Sequence, residues 1–195
     1  MKKTDKEKPR AFFFTPALAC VSLSCATLLW ASHACSSSIA AEPAALKITS
    51  TAFGAGKVIP KQYTGEGQDV SPALNWTAGP EGTTCYALSV EDPDAPRGTW
   101  WHWTVINIPA GTTRLYESAS KKNMPKGSLE GTNDFGKIGY NGPMPPKGQN
   151  HRYRFKVVAL SQPLKLNSSF TKEQYEAAIR GHITGQGELV GTYSR

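Results

Sequence analysis

A mainly β domain of two antiparallel sheets, with one short helix near its C-terminus, is the fold class that this sequence predicts. Three observations lead there. Short stretches in which side chains alternate in character are separated by Gly and Pro, of which the chain holds 18 and 14. That alternation, with a period of two, is the signature of strands half-buried in a sheet. Only residues 171–183 carry a helical stripe, and no strand–helix–strand alternation occurs, so a parallel α/β sheet is not expected.

The first 41 residues stand apart. Lys2, Lys3, Lys6, Lys8 and Arg10 form a basic head, and no Asp, Glu, Lys or Arg follows until Glu42. An apolar run and then small residues come next, the order of a secretory signal, with cleavage expected near Ala40 or Ala41 and export to the periplasm or cell envelope. The apolar run from Ala11 to Ala31 is also long enough to span a bilayer, so an uncleaved anchor is the rival reading. In that case the leader would be the chain's one contact with membrane. A lipid-bearing cysteine at Cys20, Cys25 or Cys35 is a third reading, weakened because none has leucine three positions upstream.

Residues 42–195 are expected to form a single domain. The whole chain carries +7 and the leader +3, which leaves +4 for the remainder. Its basic residues are dispersed, with Lys121-Lys122 the one adjacent pair, so no nucleic-acid partner is expected. Cys85 is the single cysteine beyond the leader, which leaves the domain without an internal disulfide. Its place in an alternating strand reads as a small buried group rather than a nucleophile.

Taken in order, 46–51, 54–60 and 71–76 read as short strands, followed by a turn at 78–82. In 83–91, Cys85, Ala87 and Ser89 alternate against Tyr86, Leu88 and Val90, as a buried strand requires. In 101–108 the same period places His102, Thr104, Ile106 and Ile108 on one face. Between these two strands lies DPDAPRGTWWHW, from Asp92 to Trp103. Pro93 and Pro96 fix φ and push the preceding residues into extended backbone, so this loop is stiff. Residues 110–142, rich in Gly, Ser, Asn and Lys, read as a long surface excursion, a kind of loop more often functional than idle. A second proline-rich loop, YNGPMPPKGQN, then leads into the strand 152–160, with His151 and Tyr153 on one face. The helix over 171–183 has Ser169 or Thr171 as its cap and Tyr175, Ala178, Ile179 and His182 along its stripe. A final strand at 187–195 closes the chain.

Two stiff loops, each joined to a strand bearing a histidine, build a concave site if the strands are neighbours. Two histidines and two acids suit an anion site, a metal centre or an acid-base catalytic site. For an anion, His102 and His151 would donate hydrogen bonds while Asp92 and Asp94 orient the rings. Two histidines with one carboxylate also suit iron or zinc. Hydrolysis through a nucleophile is less well served, because neither loop segment offers an evident serine or cysteine nucleophile and no Gly-x-Ser-x-Gly elbow occurs.

Both segments resemble the signatures of the phosphatidylethanolamine-binding, Raf-kinase-inhibitor-like proteins, and in particular their bacterial YbhB/YbcL branch. The DPDAP loop stands at Asp92–Pro96, its pocket histidine at His102, and the GPxPPxGxxHRY pattern at Gly142–Tyr153. The likeness extends over nearly all of the chain after the leader, including the GELVGTY ending. It implies a β-domain of two antiparallel sheets with a pocket for small anions or phosphate-bearing ligands, lined by Asp92, Asp94, Pro96, His102, Pro146, His151 and Tyr153. It implies a non-catalytic binding protein with no cofactor and no required metal. The metal-dependent or acid-base enzyme is the alternative. Family members also suggest a kinase or a protease as the class of protein partner. Departures bear on this: Trp101 stands where animal relatives usually have a further histidine, and Met144 where many bacterial relatives have cysteine. The helix that closes the animal chains is not matched here, so the pocket is expected to be more open and kinase inhibition is not carried over.

Overall fold

The structure is a computed structural model that describes residues 42–195. The leader, with its cleavage, anchor and lipid readings, lies outside the described residues. Among the described residues, no helix is long and apolar enough to cross a membrane.

Among the described residues, nine strands form two sheets. The larger contains β1 (Ala44–Ala45), β4 (Cys85–Asp92), β5 (Trp100–Pro109), β7 (Leu129–Glu130), β8 (Asn150–Leu160) and β9 (Ile183–Ser194), in the order β1-β9-β8-β4-β5-β7. The smaller contains β2 (Ile48–Thr49), β3 (Leu74–Trp76) and β6 (Arg114–Leu115). Pairing is antiparallel throughout except where β1 lies parallel to β9. Among the described residues there is one α-helix, α1 (Lys172–Ile179).

β4 is buried along its whole length because both faces of the large sheet are covered. Tyr86, Leu88 and Val90 join Trp103, Val105, Phe155 and Val157 in a core shared with Ile48, Leu74 and Trp76 of the small sheet. Cys85 and Ala87 lie on the other face, in a second core with Ile106, Leu160, Phe170 and Tyr175. Complete burial of such aliphatic and aromatic groups contributes about 1.5–3 kcal/mol each, so two cores without a disulfide suffice to hold the domain. Burial also pushes the Cys85 thiol above its ordinary pKa, in keeping with a packing role.

Strand β5 departs from the expected alternation. Tyr86 pairs with Ile108 and Leu88 with Val105, while Val90 pairs with Trp103 and Glu91 with Trp101. Each step sets one extra residue of β5 against β4, a β-bulge that reverses the faces beyond it. The first bulge includes Asn107, whose φ of 57° an ordinary strand residue does not adopt. Ile106 and Ile108 therefore enter opposite cores, and His102, Thr104, Ile106 and Ile108 do not share a face. The second bulge falls at His102.

Other boundaries also differ from the sequence expectation. Helix α1 begins with the expected Thr171 cap, whose side chain and that of Gln174 form a capping box. It ends before Arg180, and Gly181 at φ 79° turns the chain out of it. His182 thus lies beyond the helix, its N–H donating to the Ile179 carbonyl, and is not part of a helical stripe. Residues 54–60 form no strand, contributing one bridge from Val58 to Thr192. The stretch 110–142 is more than a surface excursion: it supplies β6 and β7 and buries Ala119, Ser120, Asn133, Tyr140 and Asn141. Several of its polar groups are held by side-chain hydrogen bonds. Glu130, for example, accepts from Trp103 Nε1, Ser120 Oγ and the Lys121 amide.

Candidate functional site

β4 lies between β8 and β5, so the two stiff loops meet at one end of the sheet. Asp92, the last residue of β4, is 4% exposed. Its Oδ1 accepts the amide of Asp94 at 2.9 Å, a local turn that Pro93 preorganises. Its Oδ2 accepts Nδ1–H of His151 at 2.7 Å across the sheet. Nε2 of His151 lies 2.9 Å from Oε1 of Gln149. A charged imidazole donates to that oxygen, and a turned amide would donate to a neutral one.

His102 is held differently. The bulge releases it from the strict alternation of β5, and its ring lies edge-on to both Tyr153 and Phe135. Its carbonyl accepts the Asn141 amide at 3.0 Å, and its Nδ1 lies 2.7 Å from the Asn141 carbonyl. A carbonyl can only accept, so Nδ1 carries the proton and a neutral ring leaves Nε2 bare. Burial pulls the His102 pKa below its ordinary value, against the opposing pull of the Asn141 carbonyl and the Asp92 charge. The sequence expectation that Asp92 and Asp94 orient both rings therefore holds for one pair, Asp92 with His151.

Asp94 turns outward to Arg152. Its carboxylate accepts the Arg152 amide and Nε at 2.8 and 2.9 Å and Nη2 at 2.6 Å. These bonds hold its pKa down to about 2. Asp94 thus fastens the first loop to β8 and does not line the cleft. Tyr153 is wholly buried beneath the cleft, and its hydroxyl has no hydrogen-bond partner. Burial, reinforced by the Asp92 charge, raises its pKa far above the ordinary phenol value.

The second loop is seated by residues without a sequence signal. The Asp69 carboxylate accepts the Asn141 side-chain amide at 3.0 Å and the Gly142 backbone amide. Asn133 donates to Asn141 Oδ1 and to the carbonyls of Gly139 and His102. Gly142 passes so close to Tyr63 that a Cβ would strike the Tyr63 carbonyl.

Between the loops opens a cleft of about 340 Å³. Of the residues expected there, Asp92, Pro96, His102, Pro146 and His151 line it. Met144, whose place in the second motif already bore on the pocket, and Trp100 line it too, as do Arg97 and Phe135, which were not foreseen. Arg97 had a signal, because it follows Pro96 directly in the stiff loop. Phe135 had none, since it arrives from the aperiodic stretch, on a loop pinned where Asp134 accepts the Trp101 amide and Lys172 Nζ. Arg97 is exposed and, among the described residues, has no salt-bridge partner. Both acids of the first loop are occupied, Asp92 by His151 and Asp94 by Arg152. Among the described residues, no group of three His, Cys, Asp or Glu side chains is placed to hold a metal.

The chain is similar to known proteins over most of this domain. Residues 49–194 match the sequence model of the phosphatidylethanolamine-binding protein family. A UPF0098 protein of Aquifex aeolicus is 43% identical over 154 residues, 78% of this chain and 90% of that protein. The UPF0098 protein YbcL of Escherichia coli is 44% identical over 142 residues, 66% of this chain and 78% of that protein. The crystal structure of Escherichia coli YbcL, described as a new member of the mammalian family, superposes with a TM-score of 0.73 at 35% identity. That superposition covers 77% of this chain and 98% of YbcL.

Proposed function

This chain belongs to the phosphatidylethanolamine-binding protein family, and from that premise we propose that it is a non-catalytic binder of small anions and phosphate-bearing ligands. One observation carries the reading: Arg97 stands at the cleft without a counter-ion while the neighbouring carboxylates are already engaged. An unpaired guanidinium leaves the cleft with positive charge to offer, and planar Arg suits phosphate oxygens. The apolar surfaces of Trp100, Phe135, Pro96 and Pro146 limit the water that competes for those donors.

Titration calorimetry with phenyl phosphate, in buffer containing a chelator, tests this. Saturable binding is expected without metal. Arg97→Ala should weaken it about tenfold, the low end for a charge-assisted hydrogen bond, without moving the melting temperature. Absence of binding, or an Arg97→Ala variant that binds as the parent does, would overturn the reading.

A further inference from the structure

Resting on the reading of the cleft as an anion site, we propose that it selects oxyanions that still carry an acidic hydrogen, phosphate monoesters as monoanions, over fully ionised oxyanions of the same charge. His102 is the discriminating residue.

The two histidines of the cleft differ. Asp92 fixes the His151 proton at Nδ1, and its Nε2 faces Gln149 Oε1 at 2.9 Å, so both of its ring nitrogens are engaged within the protein. His102 spends its Nδ1 hydrogen on the Asn141 carbonyl. Its Nε2 makes no hydrogen bond among the described residues, in a ring that is 2% exposed and lines the cleft. A bare oxygen brought to that lone pair meets another lone pair. A P–O–H group brought to the same place donates to it.

Protonation of His102 would remove the distinction, and its surroundings oppose that. The carboxylates nearest the ring are Asp92 and Asp69. Both are already engaged, Asp92 by His151 and the Asp94 amide, and Asp69 by Asn141 and Gly142. Tyr153 packs against the ring as a neutral phenol, and Phe135 packs against it without any charge. Arg97, on the same cleft, adds positive charge that disfavours another. Nδ1 is bound to a neutral carbonyl rather than to a carboxylate, and burial of the ring outweighs the opposing pull of the Asn141 and Gly142 carbonyls and of the Asp92 and Asp69 charges. The cleft therefore combines a donor at Arg97 with an acceptor at His102, which matches an oxyanion that has both bare and protonated oxygens. A site built to accept a hydrogen bond rejects the analogue that lacks the donor, because a buried acceptor is then left unpaired.

Phenyl phosphate and phenyl sulfate make the comparison. At about pH 5, below the second ionisation of a phosphate monoester near 6, each carries a single negative charge. They share a ring and a tetrahedral head and differ in the P–O–H hydrogen. Calorimetry on the full chain should show phenyl phosphate binding at least about tenfold more tightly. Nitrogen NMR of the labelled protein should show His102 Nε2 unprotonated, both free and with phenyl phosphate bound. Equal affinities would overturn the discrimination and leave the anion site standing. A doubly protonated His102 ring at that pH would also overturn it. Failure of both ligands to bind would instead sink the anion reading itself. No variant is needed, so a folding defect cannot obscure the result.

Discussion

Nδ1 of His151 lies 2.7 Å from Oδ2 of Asp92, although 59 positions separate the two residues. Both side chains are almost wholly buried, at 4% and 5% exposure. The pair joins the end of β4 to the start of β8 and sets the tautomer of one histidine in the cleft.

Asp92→Ala should destabilise the domain by about 2–4 kcal/mol, because it removes the acceptor for both His151 and the Asp94 amide. His151→Ala should cost less, about 1–2 kcal/mol, since Asp92 keeps the Asp94 amide. Denaturant unfolding of the two variants measures the difference. A larger loss for His151→Ala would contradict this order.

Asp94 should make the acid stability of the domain depend on Arg152. Its folded pKa, about 2, is depressed below the ordinary 3.8 by the Arg152 bonds. The contribution is therefore complete above about pH 4 and is lost as the pH falls through about 2. In Arg152→Ala the Asp94 carboxyl should titrate close to its ordinary value, and stability should vary less with pH across that window. Carbon NMR titration of Asp94 gives the first result and unfolding at a series of acid pH values the second.

Tyr153→Phe should leave stability within about 0.5 kcal/mol of the parent or raise it, because the hydroxyl removed is buried without a partner. Phenyl phosphate affinity should be retained, since Tyr153 lies beneath the cleft rather than on its wall. A marked loss of affinity in calorimetry would show that the hydroxyl reaches the ligand.

Gly142→Ala should be severe for its size. The added methyl meets the Tyr63 carbonyl, and relief of that clash must displace the loop that Asp69 and Asn141 hold against His102. A loss of about 3 kcal/mol is expected, together with weaker phenyl phosphate binding. Thermal melting and calorimetry on the same sample check both.

The sequence alone determined the mainly β fold, the buried strand β4, the capped helix near the C-terminus and the two stiff proline loops around His102 and His151. Each of these is written in local terms: a period of two along 85–91, a cap at Thr171, and prolines that fix φ at 93, 96, 143, 145 and 146. Tertiary structure decided the rest. It set the bulges that send Ile106 and Ile108 into opposite cores, the choice of Arg152 as partner for Asp94, and the Asn141 carbonyl that fixes the His102 tautomer. It also brought Asp69 and Phe135 to the site from stretches that carry no pattern. The reason is range. Alternation and backbone stiffness act between neighbours in the chain, whereas a bulge and a hydrogen-bond partner are settled by which strand lies alongside and in what register.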